Sequence, residues 1–220
     1  MSEELWHGVR DRVLRLGGMS SSDQAFASGA HGFALESPLT EDVIADVERA
    51  FRIQLPEEYR GFLLQVGAGG AGPAYGVFSL RQVGGSWGWA AEETHRTDPA
   101  RLRDPFTPQH INGVLVDALD LRMPHQYDFE YFDDYETQHR RWEETFWHAD
   151  RTAGSICLCD VGCLRSYWLV VTGEERGMIW RDYRIDCVDL APLFDAHGNR
   201  LTFARWYLDW LSEAETRAQQ

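Results

Sequence analysis

The sequence predicts an α+β fold, and three observations carry that reading. Apolar residues recur at helical spacing in the first third of the chain, strand-like runs bounded by glycine-rich turns gather in the last third, and a strongly amphipathic helix closes it. Helices first, strands later and a closing helix is the order of a segregated α+β domain, whereas a parallel sheet needs strands and helices in alternation. No internal repeat interrupts that order.

Residues Glu3 to Leu16 carry Leu5, Val9, Val13 and Leu16 at helical spacing, which predicts an N-terminal amphipathic helix. The following GGMSSSDQAFASGAHGF has no period and reads as a linker or a loosely held arm. Thr40 caps a helix whose first turn places Glu41 and Asp42 at the positive end of the dipole and whose buried stripe is Ile44, Val47 and Phe51. In LPEEYRGFLLQVG, Pro56 suits the first helical position. Tyr59, Phe62, Leu63 and Val66 then repeat at i, i+3, i+4 and i+7, and Gly67 is expected to close the helix as a left-handed cap. Tyr75 to Leu80 reads as a strand leading out of a glycine-rich turn. Further strands are expected at Ser155 to Asp160, Tyr167 to Thr172 and Met178 to Asp182, the last two joined by the short polar loop GEERG and so paired antiparallel. Thr202 caps the final helix, whose stripe of Phe203, Trp206, Tyr207, Trp210 and Leu211 has to bury against the sheet. The expected core joins Tyr59, Phe62, Leu63, Phe78, Leu169, Val171, Trp180, Trp206 and Trp210.

At 220 residues the chain fits one domain with an extension. Residues 1–36 read as an N-terminal helix and Gly/Ser-rich arm, and residues 37–220 as a single domain with an acidic, aromatic middle at about 117–150. Its 44% hydrophobic and 25% charged residues exclude a disordered or disulfide-scaffold composition. No apolar run approaches the roughly 18 residues that span a bilayer, and the N-terminus has no signal-peptide core, so a soluble, cytoplasmic protein is expected. Thirty-five acidic residues against 21 basic ones give a net charge of −14, which repels nucleic acid and anionic membranes and favours a basic partner. Every basic residue other than histidine is an arginine, so each cationic contact is a planar, permanently charged fork.

Several motifs resemble chemistry that their context does not support. The string from Gly67 to Gly72 matches G-x-G-x-x-G, yet a dinucleotide loop follows a strand and opens a helix, and here a helix precedes and Pro73 with a strand follows. Gly84 to Gly88 matches G-x-S-x-G, with Asp189 and His197 downstream in the order of a hydrolase triad, but the alternating sheet that such a nucleophile needs is missing. Ser86 is therefore expected on a glycine-rich loop. Cys157, Cys159, Cys163 and Cys187 are expected as free thiols, with Cys157 and Cys159 on one side of a strand. Their C-x-C-x3-C spacing is not the usual zinc-chelating turn. His139 and His148 fit no common ligand spacing, and Asp160 and Asp182 read as turn residues near strand ends. No cofactor, no metal and no catalytic residue is expected.

The most unusual stretch is YDFEYFDDYE, Tyr127 to Glu136, with five acids, five aromatics and no base. Residues 117–150 hold ten acids and three arginines, net −7, so half of the protein's charge lies in about a sixth of its length. Aromatics beside carboxylates suit an interface with a cationic protein, since tyrosines supply rigid contact area while acids steer and pair with Arg or Lys. The expected partner-binding residues are Tyr127, Asp128, Glu130, Tyr131, Asp133, Asp134, Tyr135 and Glu136. The competing reading is an acidic loop whose aromatics pack on the sheet.

Three segments carry a family resemblance: LPEEYRGFLLQVGAGGAGPAYGVFSL, GCLRSYWLVVTGEERGMIWRDY and the closing LTFARWYLDWL. Together they resemble the SUKH superfamily of bacterial immunity proteins, in its Smi/Knr cell-wall-regulator-like branch. The resemblance begins near Thr40, covers most of the remaining chain and departs from the family at Arg96 to Ala149 and at Leu164, where a glycine is expected. It implies a central, largely antiparallel sheet flanked by helices and a non-enzymatic binding role. On that basis the chain is expected to be an intracellular immunity protein that sequesters a basic toxin domain, often a nuclease in this family. The alternatives are a regulatory scaffold of the same fold and a small serine hydrolase using Ser86.

Overall fold

The helical stripes fold as their spacing predicts, with one break. In the computed structural model, which describes residues 2–18, 31–90, 97–118 and 120–219, the N-terminal segment forms two helices, α1 (Ser2–Leu5) and α2 (Val9–Gly17). Gly8 separates them at φ 70°, a left-handed value that glycine adopts without steric cost. Trp6, at 1% exposure, is the residue that enters the core, while Leu5 stays at the surface. The stretch read as a linker falls largely at 19–30, outside the described residues.

The next helices are α3 (Glu41–Phe51), α4 (Glu57–Gln65), α5 (Phe132–Phe146) and α6 (Phe203–Ala218). Thr40 caps α3 by accepting the Val43 N–H at 3.4 Å, and Thr202 caps α6 by accepting that of Arg205 at 3.3 Å. Glu58, in the first turn of α4, accepts the Ala204 N–H at 2.9 Å and so satisfies a second orphan donor of α6. Gly67 does not take the left-handed cap expected of it. A glycine is needed there because a Cβ would lie 2.7 Å from the Glu36 carbonyl oxygen.

The strands form two hairpins and one sheet. β1 (Ser79–Val83) pairs antiparallel with β2 (Ser86–Ala90), and β3 (His110–Ile111) with β4 (Val114–Leu115). β5 (Ser155–Gly162), β6 (Arg165–Val170), β7 (Ile179–Tyr183) and β8 (Val188–Pro192) make a four-stranded antiparallel meander. β1 starts later than the predicted Tyr75 to Leu80. Residues Tyr75 and Phe78 instead donate their N–H groups to Asp160 and Leu158 of β5, at 3.2 and 2.6 Å. Strand β8 is not foreseen by the sequence. The β5–β6 turn survives the loss of glycine, because Cys163 and Leu164 both take left-handed conformations, at φ 52° and 63°.

Two apolar clusters lie on the two faces of this sheet. The larger joins Trp6, Tyr59, Phe62, Leu63, Leu158, Leu169, Phe203, Trp206 and Tyr207, with Trp6 edge-on to Phe62 at 5.6 Å and to Tyr207 at 5.8 Å. The smaller joins Phe106, Cys157, Trp168, Val170, Trp180 and Leu190. Trp180 therefore packs away from the helices, and Phe78, partly buried, touches both clusters. Trp210 is only partly buried, edge-on to Tyr207 at 5.2 Å and stacked on Phe33 at 6.2 Å. Cys157 and Cys159 do not share a side: a register shift between them breaks the alternation and sends Cys159 into the larger cluster.

Trp6→Ala is expected to cost about 3–5 kcal/mol, as large aromatic deletions in cores do. Urea unfolding of the full chain measures it, and a loss below about 1 kcal/mol would make the N-terminal helices an appendage instead of part of the core.

Candidate binding surface

The smaller cluster ends in a buried ionic group, which fixes α5 to the sheet. Arg184 forms two hydrogen bonds to Asp182 of β7, at 2.9 and 2.7 Å, and donates a third to the Phe146 carbonyl at 3.0 Å. Arg151, at 1% side-chain exposure, donates to Asp189 of β8 at 2.6 Å and to the Pro108 carbonyl at 2.8 Å, with a longer contact of 3.4 Å to the same Phe146 carbonyl. Burial pulls Arg151 below its ordinary pKa and Asp189 pulls it back. Two guanidiniums thus sit at the C-terminal end of α5, where the helix dipole is negative. The Arg184 guanidinium also lies 5.0 Å over the ring of Trp147.

From that anchored end an aromatic row runs back along α5: Phe146 to Trp142 at 4.9 Å, Trp142 to His139 at 5.3 Å, and His139 to Tyr135 at 5.5 Å. Burial falls along the row, from Phe146 and Trp142, both buried, to His139 and Tyr135, half-buried. Trp142 donates its indole N–H to the Leu121 carbonyl at 3.3 Å and so ties the preceding segment to the helix. The β3–β4 hairpin is held by Asp150, which accepts the Asn112 N–H at 2.6 Å and pairs with Arg101. Burial works to raise the Asp150 carboxyl, but the Asn112 N–H and the Arg101 guanidinium outweigh it and hold the group below the usual aspartate value.

The sequence-predicted residues Tyr127, Asp128, Glu130, Tyr131, Asp133, Asp134 and Glu136 are all exposed, and Tyr135 is half-buried. Tyr127 is 90% exposed, Tyr131 64% and Phe132 56%, so their aromatics do not pack on the sheet. Asp133, Asp134 and Glu136 lie in the opening turns of a helix, not in a loop. Val114, Leu115, Met123 and Trp147 are exposed as well, so seven of the fourteen large exposed apolar residues described lie between 114 and 147. Sequence reasoning missed Phe132 and Trp147 as surface residues, although the spacing of Tyr135, His139, Trp142 and Phe146 was itself a helical signal.

The other candidates disperse. Ser86 opens β2 behind a Gly84–Gly85 turn with both φ values positive, so it lies in a hairpin and not on a flexible loop or a strand-to-helix elbow. Asp189 is engaged by Arg151, and His197 lies in a turn closed by Asp195. Cys157 and Cys159 are buried free thiols, Cys163 and Cys187 exposed ones. Among the described residues no three of His, Cys, Asp or Glu gather as a cation-binding group, and no helix is long and apolar enough to cross a membrane.

A family model for SMI1 / KNR4 (SUKH-1) matches residues 38–196. The chain belongs to the SMI1 / KNR4 family (SUKH-1). The match starts after α2 and ends before α6, and it spans the four-stranded sheet and the whole acidic segment. Family membership makes this an SMI1/KNR4-like, immunity-type protein in general terms, in a family that is generally non-enzymatic and works through protein–protein interaction. Comparison with curated proteins and with solved structures gave no match.

Two outcomes follow from this geometry. Arg184→Ala leaves Asp182 buried without its cation and should cost about 3–5 kcal/mol in urea unfolding, the range for a broken buried pair. The Asp150 contribution is complete above the ordinary aspartate value of about 4 and is lost as pH falls through its lower folded value. The urea midpoints of wild type and Asp150→Asn should therefore differ at neutral pH and draw together in acid, and a gap independent of pH would count against it.

Proposed function

We propose that the protein is an intracellular immunity protein that neutralises a cognate basic toxin domain, such as a nuclease, by binding and not by catalysis. The partner-binding residues are Tyr127, Asp128, Glu130, Tyr131, Asp133, Asp134, Tyr135 and Glu136. One observation carries this reading: half of the net charge and half of the large exposed apolar residues described fall in the same stretch of chain, between 114 and 150. Carboxylates there raise the rate of encounter with a cationic surface, and the tyrosines, which lose little entropy on binding, hold what arrives. A solvated acidic loop has no need of tyrosines at 90% and 64% exposure.

Co-expression with the product of a neighbouring gene that carries a basic C-terminal domain should rescue growth from that domain's toxicity. In stopped-flow or surface binding assays with that partner, changing Asp133 and Asp134 to Asn should slow association and flatten its salt dependence, whereas Tyr135→Ala should mainly speed dissociation. Unchanged rates in both variants would place the interface elsewhere.

A further inference from the structure

We infer that the exposed flank of α5 receives a basic α-helix of the partner, with Glu136 and Glu143 pairing with two cationic side chains seven residues apart and Phe132 and Trp147 gripping its ends. The inference rests on the proposed binding of a basic protein and specifies which part of such a protein docks. At 100° per residue, Phe132, Glu136, Glu143 and Trp147 fall within a band of about 60° beside the buried aromatic row. All four are exposed. The strip between the two aromatics is about 22 Å long, and its glutamates stand about 10 Å apart along the axis.

That spacing selects the partner's conformation. Residues seven apart on a second helix recur at the same interval of about 10 Å and on one side. An extended chain repeats on one face about every 7 Å, so it matches the interval between the two glutamates less well than a helix does. The two ends of the strip are prepared for contact. Phe132 rests 5.9 Å from Tyr135, and the Trp147 ring lies against the Arg184 guanidinium, itself fixed by Asp182 and the Phe146 carbonyl. Rings held in place before binding lose less freedom on contact. By the same spacing Arg140 stands at the edge of the band, four residues after Glu136 and three before Glu143, so it competes with a partner cation for both and disfavours one at its own level.

The test uses two synthetic peptides of about 20 residues and equal charge. One is an alanine-based helix with arginines seven apart and a leucine near each end, and the other carries two prolines at its centre. Fluorescence anisotropy with the full-length protein should show the helical peptide binding about tenfold more tightly than the proline-broken one. Glu136→Gln with Glu143→Gln, and separately Trp147→Ala, should each weaken the helical peptide by about tenfold and leave the broken peptide unchanged. Circular dichroism confirms that the variants are folded. Equal affinity for the two peptides, no binding of either, or indifference of the helical peptide to these variants overturns the inference. If the helical peptide responds to Asp133→Asn and Asp134→Asn but not to the flank variants, the acidic surface stands and the helix-receiving flank falls.

Discussion

A four-stranded sheet has two faces to bury, and among the described residues helices supply the apolar cluster on only one. Trp6, just after α1, and the helices α2, α3, α4 and α6 supply the larger cluster, in which Trp6, Phe62, Phe203 and Tyr207 interlock. The opposite face presents Cys157, Trp168, Val170 and Trp180, which cannot be left in water. Phe106 meets it, edge-on to Trp180 at 5.0 Å, and brings with it the long segment between β2 and β5. The acidic helix is therefore a by-product of a packing requirement: the chain that covers the second face carries α5 to the surface.

Arginine makes that arrangement hold. In a chain with an excess of acids, several of the cations are spent inward, where a planar fork can satisfy more than one acceptor. Arg151 and Arg184 join α5 to β8 and β7 through carboxylates and one shared carbonyl. The GEERG loop uses the same device. Arg176 donates to the Gln54 and Leu55 carbonyls ahead of α4, and Glu175 pairs with Arg200 while accepting the Trp180 indole N–H at 3.4 Å. The three arginines within residues 117–150, Arg122, Arg140 and Arg141, are exposed, and the ten acids of that stretch outnumber them.

What the sequence makes legible follows the range of the forces involved. Caps and stripes are local, so Thr40, Thr202 and the i, i+3, i+4 pattern of α4 and α6 place those helices to within a residue or two. The α+β order and the β6–β7 hairpin are legible for the same reason. Features set by distant contacts are not. Nothing local distinguishes Trp6 from Leu5 as the buried residue, and no pattern announces the bulge that separates Cys157 from Cys159 or the close approach of Glu36 that demands Gly67. Strand β8, VDLAP, is short and mixed, and α5 hides its aromatic row among charges. The acidic stretch itself is plain in composition, but its exposure and helical form come from the anchoring at Phe146, which involves residues 38 positions away.

The segment that carries α5 leaves and rejoins the sheet at one place. Thr97 Oγ1 accepts the Cys157 N–H at 2.9 Å, the Arg101 carbonyl accepts the Gly154 N–H at 3.0 Å, and Leu102 accepts the Thr172 hydroxyl at 2.7 Å. Because its two ends are already side by side, the length and content of what lies between them hardly affect the closure of the chain. The seams therefore tolerate change in the outward-facing part alone, since Phe106, which covers Trp180, and the buried Phe146 at the anchored end of α5 lie in the same segment and are not free to vary.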